Sequence, residues 1–111
     1  MTVSEITQAD RAAWQRRAVA ELAVILDTHR DLPLIAWTVS PAASTLAGHV
    51  NGLAPGAMVR GVFEAWRMAL ALTGHSEVIS SSGTTYLRAA ATRNRVRVRI
   101  TATVFDDEGE G

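Results

Sequence analysis

Within residues 93–104, charged or polar residues alternate strictly with apolar ones from Arg95 onward. A period of two is typical of a β-strand whose two faces meet different environments. Val96, Val98 and Ile100 would lie on one face of this strand, and a row of cations would lie on the other. The segment therefore predicts a strand with one buried face and one cationic face. The cationic row consists of Arg95, Arg97 and Arg99.

Two stretches show the three- and four-residue spacing of amphipathic helices. The pattern in residues 8–29 stops at residues 31–33, where a proline biases the chain toward extended geometry. Residues 56–73 follow the same spacing between Pro55, which suits a helix start, and Gly74, which suits a helix end. The expected core-facing residues are Trp14, Ala18, Val19, Leu22, Ile25 and Leu26 in the first helix, and Val59, Val62, Phe63, Trp66 and Leu70 in the second.

Residues 34–40 and 45–51 predict a hairpin, because both stretches are rich in apolar and β-branched side chains and flank a polar turn. The first stretch is apolar on both faces. A strand of that kind is usually covered on both faces. Helices are expected on one side of the sheet only. We therefore expect a second subunit or a ligand to cover the other side. The two apolar sets are Ile35, Trp37 and Val39 on one face and Leu34 and Ala36 on the other.

Residues 84–92 and 95–105 predict a second hairpin, with Arg93-Asn94 as its two-residue turn. This register places apolar residues together on one face, and Tyr86 with the arginines on the other. It also places Arg88 directly opposite Arg99. Residues 77–81 form either a short strand or an irregular approach to this hairpin.

These elements predict an α+β fold in the order α-β-β-α-β-β. Two helices would pack on one face of a four- to five-stranded antiparallel sheet. Residues 1–105 are expected to form a single domain, which is long enough to bury a core. Residues 106–111 are expected to form an acidic, flexible tail.

Composition narrows the classes of function. The chain has 111 residues, of which 48% are hydrophobic, as in globular proteins. It has no cysteine and no apolar run long enough to span a membrane, so we expect no disulfide, no cysteine-based metal site and no membrane partner. The first residues show no basic region followed by an apolar stretch. We therefore expect no secretory signal and a cytoplasmic location.

The basic residues are all arginine, 11 in number, and 11 acidic residues balance them to a net charge of zero. Arginine codons are rich in G and C and lysine codons in A and T, so this usage indicates a high-GC bacterium. Zero net charge removes the global electrostatic argument for nucleic-acid binding, although a local patch can still bind. The absence of lysine also excludes Schiff-base and P-loop chemistry.

No residue pattern indicates an enzyme. His29, His49 and His75 lack the spacing of metal ligands. Residues 27–31 concentrate titratable groups at a helix end, where polar side chains commonly serve as caps. Residues 80–85 are rich in hydroxyl groups but fit neither a P-loop nor a nucleophile elbow. We therefore expect no catalytic residue, no metal and no cofactor.

The one candidate binding surface is the cationic face of the last hairpin, extended by residues of the first. Arginine next to aromatic rings can form a stacking platform for single-stranded nucleic acid. Three interpretations remain open, in this order of preference: a solvated face, a homodimer interface, and an anion- or nucleic-acid-binding surface. The candidate residues are Arg88, Arg95, Arg97, Arg99, Tyr86, Trp37 and His49.

The sequence thus favours a small cytoplasmic binding or interaction domain that forms a homodimer. The first alternative is a protein that binds nucleic acid or another anionic ligand through the arginine-rich face. Zero net charge and few aromatic residues argue against nucleic acid. The second alternative is an enzyme with a pocket between the helices and the sheet, for which no set of nucleophile, base and orienting group is visible.

Overall fold

A computed structural model describes residues 7–40, 43–50, 52 and 54–105 of the chain. The predicted acidic tail lies outside these residues. Within them, no helix is both long and apolar enough to cross a membrane. The described part of the chain forms, in order, α1 (Gln8–Thr28), β1 (Ala36–Val39), β2 (Thr45–Val50), α2 (Gly56–Ala69), β3 (Ser76–Ile79), β4 (Thr84–Arg93) and β5 (Val96–Phe105).

Helix α1 begins with a capping box. The Thr7 hydroxyl accepts a hydrogen bond from the Asp10 N–H at 3.0 Å, and the Asp10 carboxylate accepts one from the Thr7 N–H at 3.0 Å. These bonds satisfy backbone donors that the first helical turn leaves without partners. The Thr7 backbone N–H also stabilises the charged carboxylate and so holds the pKa of Asp10 below its ordinary value.

The predicted stripe of α1 is confirmed only in part: Ala18 and Ile25 are buried, whereas Trp14 and Leu22 are half-buried. Val19 and Leu26 are exposed, whereas Glu21 is buried with 5% exposure. Asn94 donates from Nδ2 to Glu21 Oε1 at 2.8 Å, and Arg93 donates from Nε to Glu21 Oε2 at 3.4 Å. Burying a carboxylate costs little free energy only where a positive charge and hydrogen-bond donors pair with it. Helical spacing could not reveal this match, because the partners lie 72 and 73 residues further along the chain.

The predicted apolar stripe of α2 is confirmed. Phe63 and Trp66 are buried against the sheet. Trp66 Nε1 donates to the Pro33 carbonyl at 2.8 Å, so this large core side chain leaves no donor without a partner. Beside this buried stripe, Arg67 Nε donates to Glu64 Oε1 at 3.0 Å, and this bond lowers the pKa of Glu64.

The five strands form one sheet in the order β1-β2-β5-β4-β3. The prediction of a purely antiparallel sheet is wrong, because β2 and β5 run parallel and the sheet is mixed. Helix α2 causes this arrangement. It carries the chain from the end of β2 back along the sheet, so that β3 starts in the same direction as β2. Two turns follow, so β4 runs opposite to β3, and β5 again runs in the direction of β2. Strand β5 lies between β2 and β4.

The β4–β5 hairpin turns at Asn94-Arg95, one residue later than predicted. Both residues have positive φ, 50° and 68°, as a two-residue type I′ turn requires. Each β4 residue therefore has a partner two positions further along β5, and Arg88 lies opposite Thr101 instead of Arg99. Because the shift is even, the residues that stay in the two strands keep their predicted faces, whereas Arg95 moves into the turn. The like-charge pair that the predicted register implied does not form.

The predicted faces of β5 are confirmed. Val96, Val98 and Ile100 are fully buried. Both helices pack on the side of the sheet that carries these three residues, and one hydrophobic core joins them. Arg97 lies on the other side of the strand and is exposed.

We predict that Ile100→Ala lowers the free energy of unfolding by roughly 2–4 kcal/mol, because it leaves a cavity in the packed core. Arg97→Ala on the same strand should change it by less than about 0.5 kcal/mol, since that side chain faces solvent. Urea denaturation of both variants measures the difference. Comparable losses for both would contradict the assigned faces.

Gly48 leaves space for three neighbouring side chains. A Cβ at this position would lie 2.7 Å from Ile100 Cδ1, 2.8 Å from Ile35 Cδ1 and 3.2 Å from Trp37 Cη2. We predict that Gly48→Ala lowers the free energy of unfolding by about 1–3 kcal/mol, because an added methyl group overpacks the core. Gly61→Ala on α2 should raise it by about 0.5–1 kcal/mol, since its Cβ meets nothing within 4 Å and alanine favours the helix. Thermal melts that shift in the same direction for both variants would refute these two packing assignments.

Candidate anion-binding face

The side of the sheet away from the helices carries alternate residues of all five strands. We call this side the open face. None of its described residues is Asp or Glu, whereas arginine, histidine, threonine and aromatic residues are all present. By register, its members are Ala36, Thr38, Thr45, Ala47, His49, Arg97, Arg99, Thr101, Thr103, Phe105, Thr84, Tyr86, Arg88, Ala90, Thr92, Ser76 and Val78.

The centre of the open face brings four polar side chains into adjacent positions. His49 on β2, Thr101 on β5 and Arg88 on β4 lie in one row across the strands. His49 Nδ1 and Thr101 Oγ1 share a hydrogen bond of 2.9 Å. Arg99 precedes Thr101 by two residues, so it is a diagonal neighbour of Arg88, at a typical distance of about 7–8 Å. Two guanidinium groups can therefore reach one ligand placed above Thr101.

The arginines of the open face are not neutralised within the described part of the chain. Arg88 and Arg97 are exposed and Arg99 is half-buried. No ion pair joins any of the three to another described residue. Carboxylates pair with arginines elsewhere, as Glu77 does with Arg60 at 3.5 Å. The open face is therefore a positive patch, although the net charge of the chain is zero.

Two of the seven predicted site residues lie elsewhere. Trp37 points to the core side of the sheet, where its ring meets that of Trp66 edge-on, at 5.6 Å and 78°. Its Nε1 is buried and has no hydrogen-bond partner among the described residues. Arg95 lies in the β4–β5 turn, at the tip of the hairpin. The five that share the open face are Arg88, Arg97, Arg99, Tyr86 and His49.

Phe105 is a member of the open face that the sequence reasoning missed. It lies on β5 opposite Thr84 with 57% exposure, and Tyr86 lies opposite Thr103 with 48% exposure. The two aromatic residues are therefore diagonal neighbours, which typically lie about 7–8 Å apart. The signal was present in the sequence, since the period of two that starts at Arg97 places residue 105 on the same side.

Two cavities flank Leu34, beside the outer strand β1. One has a volume of about 440 Å³ and reaches the open face at His49. The other has a volume of about 300 Å³ and lies between the end of α1 and Trp66 of α2. Leu34 lines both cavities and is itself 96% exposed.

The other candidate groups have structural contacts. Ser80 Oγ accepts a hydrogen bond from the Thr84 N–H at 3.2 Å, which closes the β3–β4 turn. His29 and His75 each lie near an aromatic ring of α2, with ring centroids 6.3 Å and 5.9 Å apart. Nowhere in the described ranges do three His, Asp or Glu side chains form a group that could hold a metal ion.

Comparison with known protein families, with curated proteins and with solved structures gives no match for this chain. The geometry of the open face suits the binding of an anion. Guanidinium groups donate paired hydrogen bonds to phosphate and carboxylate oxygens, and hydroxyl and imidazole groups stand beside them in the row at Thr101.

Proposed function

We propose that this protein is a binding domain that holds an anionic partner on the open face. The observation that supports this most strongly is the separation of charge. Three arginines and a histidine share this face, and no described residue of the face is acidic. A positive surface of this kind attracts anions even where the whole chain is neutral.

The chemistry of arginine supports the same proposal. Its guanidinium group is planar, stays charged at every physiological pH and fits phosphate or carboxylate oxygens with two parallel hydrogen bonds. Arg88 and Arg99 project from adjacent strands, and the sheet fixes the spacing of their Cα atoms. A rigid scaffold of this kind lowers the entropy lost when a ligand binds.

We predict that the protein binds long-chain inorganic polyphosphate at low salt, as measured by isothermal titration calorimetry. The double variant Arg88→Gln/Arg99→Gln should bind about tenfold more weakly or worse, because a hydrogen bond to a charged group contributes about 1.5–3 kcal/mol. The matched control is Arg11→Gln/Arg16→Gln, which removes the same charge from exposed positions of α1. Its affinity should stay within about twofold of the wild type, since Debye screening weakens distant charges.

Absence of polyphosphate binding by the wild type would refute the proposal. So would an equal loss of affinity in the two double variants, because it would show a response to net charge alone.

Homodimer formation is a second proposal, and Leu34 is the observation that favours it. A large apolar side chain with 96% exposure stands between two cavities. A protruding residue next to a cavity can insert into the same cavity of a second copy across a two-fold axis. A cavity of about 150 Å³ already holds benzene, so the cavity of about 300 Å³ has room for a leucine side chain. The open face is less suited to a two-fold contact, because its arginines would meet those of the partner.

We predict that light scattering at micromolar concentration gives about twice the chain mass of 11.9 kDa. Leu34→Asp should shift the mass to that of the monomer, because it places a charge in an apolar contact. Val78→Asp introduces the same charge at another exposed apolar residue, on the opposite edge strand β3, and should leave the dimer intact. A monomeric wild-type protein would disprove the dimer without affecting the proposal for the open face.

A further inference from the structure

We infer that the anionic partner of the open face is single-stranded nucleic acid. This inference rests on the proposed function and adds the chemical class of the ligand. The open face combines two groups that single strands require, cations for the phosphates and exposed aromatic rings for the bases.

The two groups follow one another along the same face and meet on β4, where Arg88 and Tyr86 are two residues apart. Along β5, Arg97 and Arg99 are near the hairpin tip and Phe105 is at the far end. At about 3.3 Å per residue, the distance from Arg97 to Phe105 is about 26 Å. Arg88 and Tyr86 continue the two groups on β4. An extended strand can therefore contact the arginines with its backbone and the rings with its bases.

The aromatic residues are placed for stacking. Tyr86 and Phe105 occupy diagonal positions on adjacent strands, and both are about half exposed. A Cβ at Gly52 would lie 3.2 Å from Phe105 Cε2, so the ring rests close to the Gly52 backbone. With 57% of its surface exposed, the Phe105 side chain is accessible to a ligand. Bases stack on such rings with little dependence on sequence, because every base has an aromatic face.

The shape of the open face favours a single strand over a duplex. Duplex DNA is read by a helix or ribbon that enters a groove, and the open face is the surface of a sheet. In a duplex the bases are already stacked on each other, so Tyr86 and Phe105 would remain without a partner. The threonine hydroxyls around the rings, at Thr84 and Thr103, can accept and donate hydrogen bonds at the base edges.

The test is fluorescence anisotropy with a labelled oligothymidylate of about 12 nucleotides, a length within the range that single-strand-binding domains cover. We expect binding whose logarithm falls with the logarithm of salt concentration at a slope of about −2, since each of three phosphate contacts contributes about −0.7. Unlabelled duplex of the same length should compete poorly.

Variants separate the two groups. Tyr86→Leu should weaken oligonucleotide binding by about tenfold to a hundredfold with an unchanged salt slope, because it removes stacking and no charge. Tyr86→Phe keeps the ring and should bind like the wild type. Arg88→Gln should instead reduce the salt slope by about 0.7, because one phosphate contact is lost. Circular dichroism confirms that each variant is folded.

The outcomes distinguish this inference from the broader proposal. If polyphosphate binds but Tyr86→Leu leaves oligonucleotide affinity unchanged, the nucleic-acid inference is wrong and the anion-binding proposal stands. Equal affinity for duplex, or stronger competition by polyglutamate than by the single strand, would also overturn the inference. If no polyanion binds at about 100 μM protein, both are wrong.

Discussion

Strand β5 is paired along both edges, and the rest of the fold is arranged around it. It bonds to β2 on one side and to β4 on the other. Its inward side chains, Val96, Val98 and Ile100, are completely buried, and each such residue stabilises the fold by roughly 1.5–3 kcal/mol relative to exposure. This burial requires cover on one face of the sheet, and both helices supply it there. Both helices lie on that side. None of the described elements covers the opposite face, which is therefore open to solvent or to a ligand.

Local patterns predicted most of the elements, because periodicity depends on neighbours in the chain. The period of two in β5 and the helical spacing in α2 each reported which side would be buried, and both were right. The order and direction of the strands depend on contacts between distant segments, so no pattern in β2 indicated that β5 would lie beside it in parallel. The burial of Glu21 is of the same kind, since its partners Arg93 and Asn94 lie at the far end of the chain.

The candidate site was predictable to the extent that it follows from alternation. Arg88, Arg97 and Tyr86 lie on the face that the sequence predicted, even though the turn is one residue later, because an even shift preserves faces. Trp37 was assigned to the wrong face, since a strand that is apolar on both sides has no pattern to choose between them. The contact with Trp66, a residue of α2, decides its orientation.

The alternation in β5 also separates two kinds of evolutionary constraint. Even-numbered positions from 96 to 104 are buried in the core, whereas odd-numbered positions from 97 to 105 lie on the open face and are exposed or half-buried. Under the proposed function, substitutions at Arg97, Arg99 or Phe105 would therefore change what the sheet binds at little cost in stability, because these side chains lie outside the core. If that proposal holds, a lineage would alter its ligand preference by point mutations along this one strand, without the compensating changes that a core substitution demands.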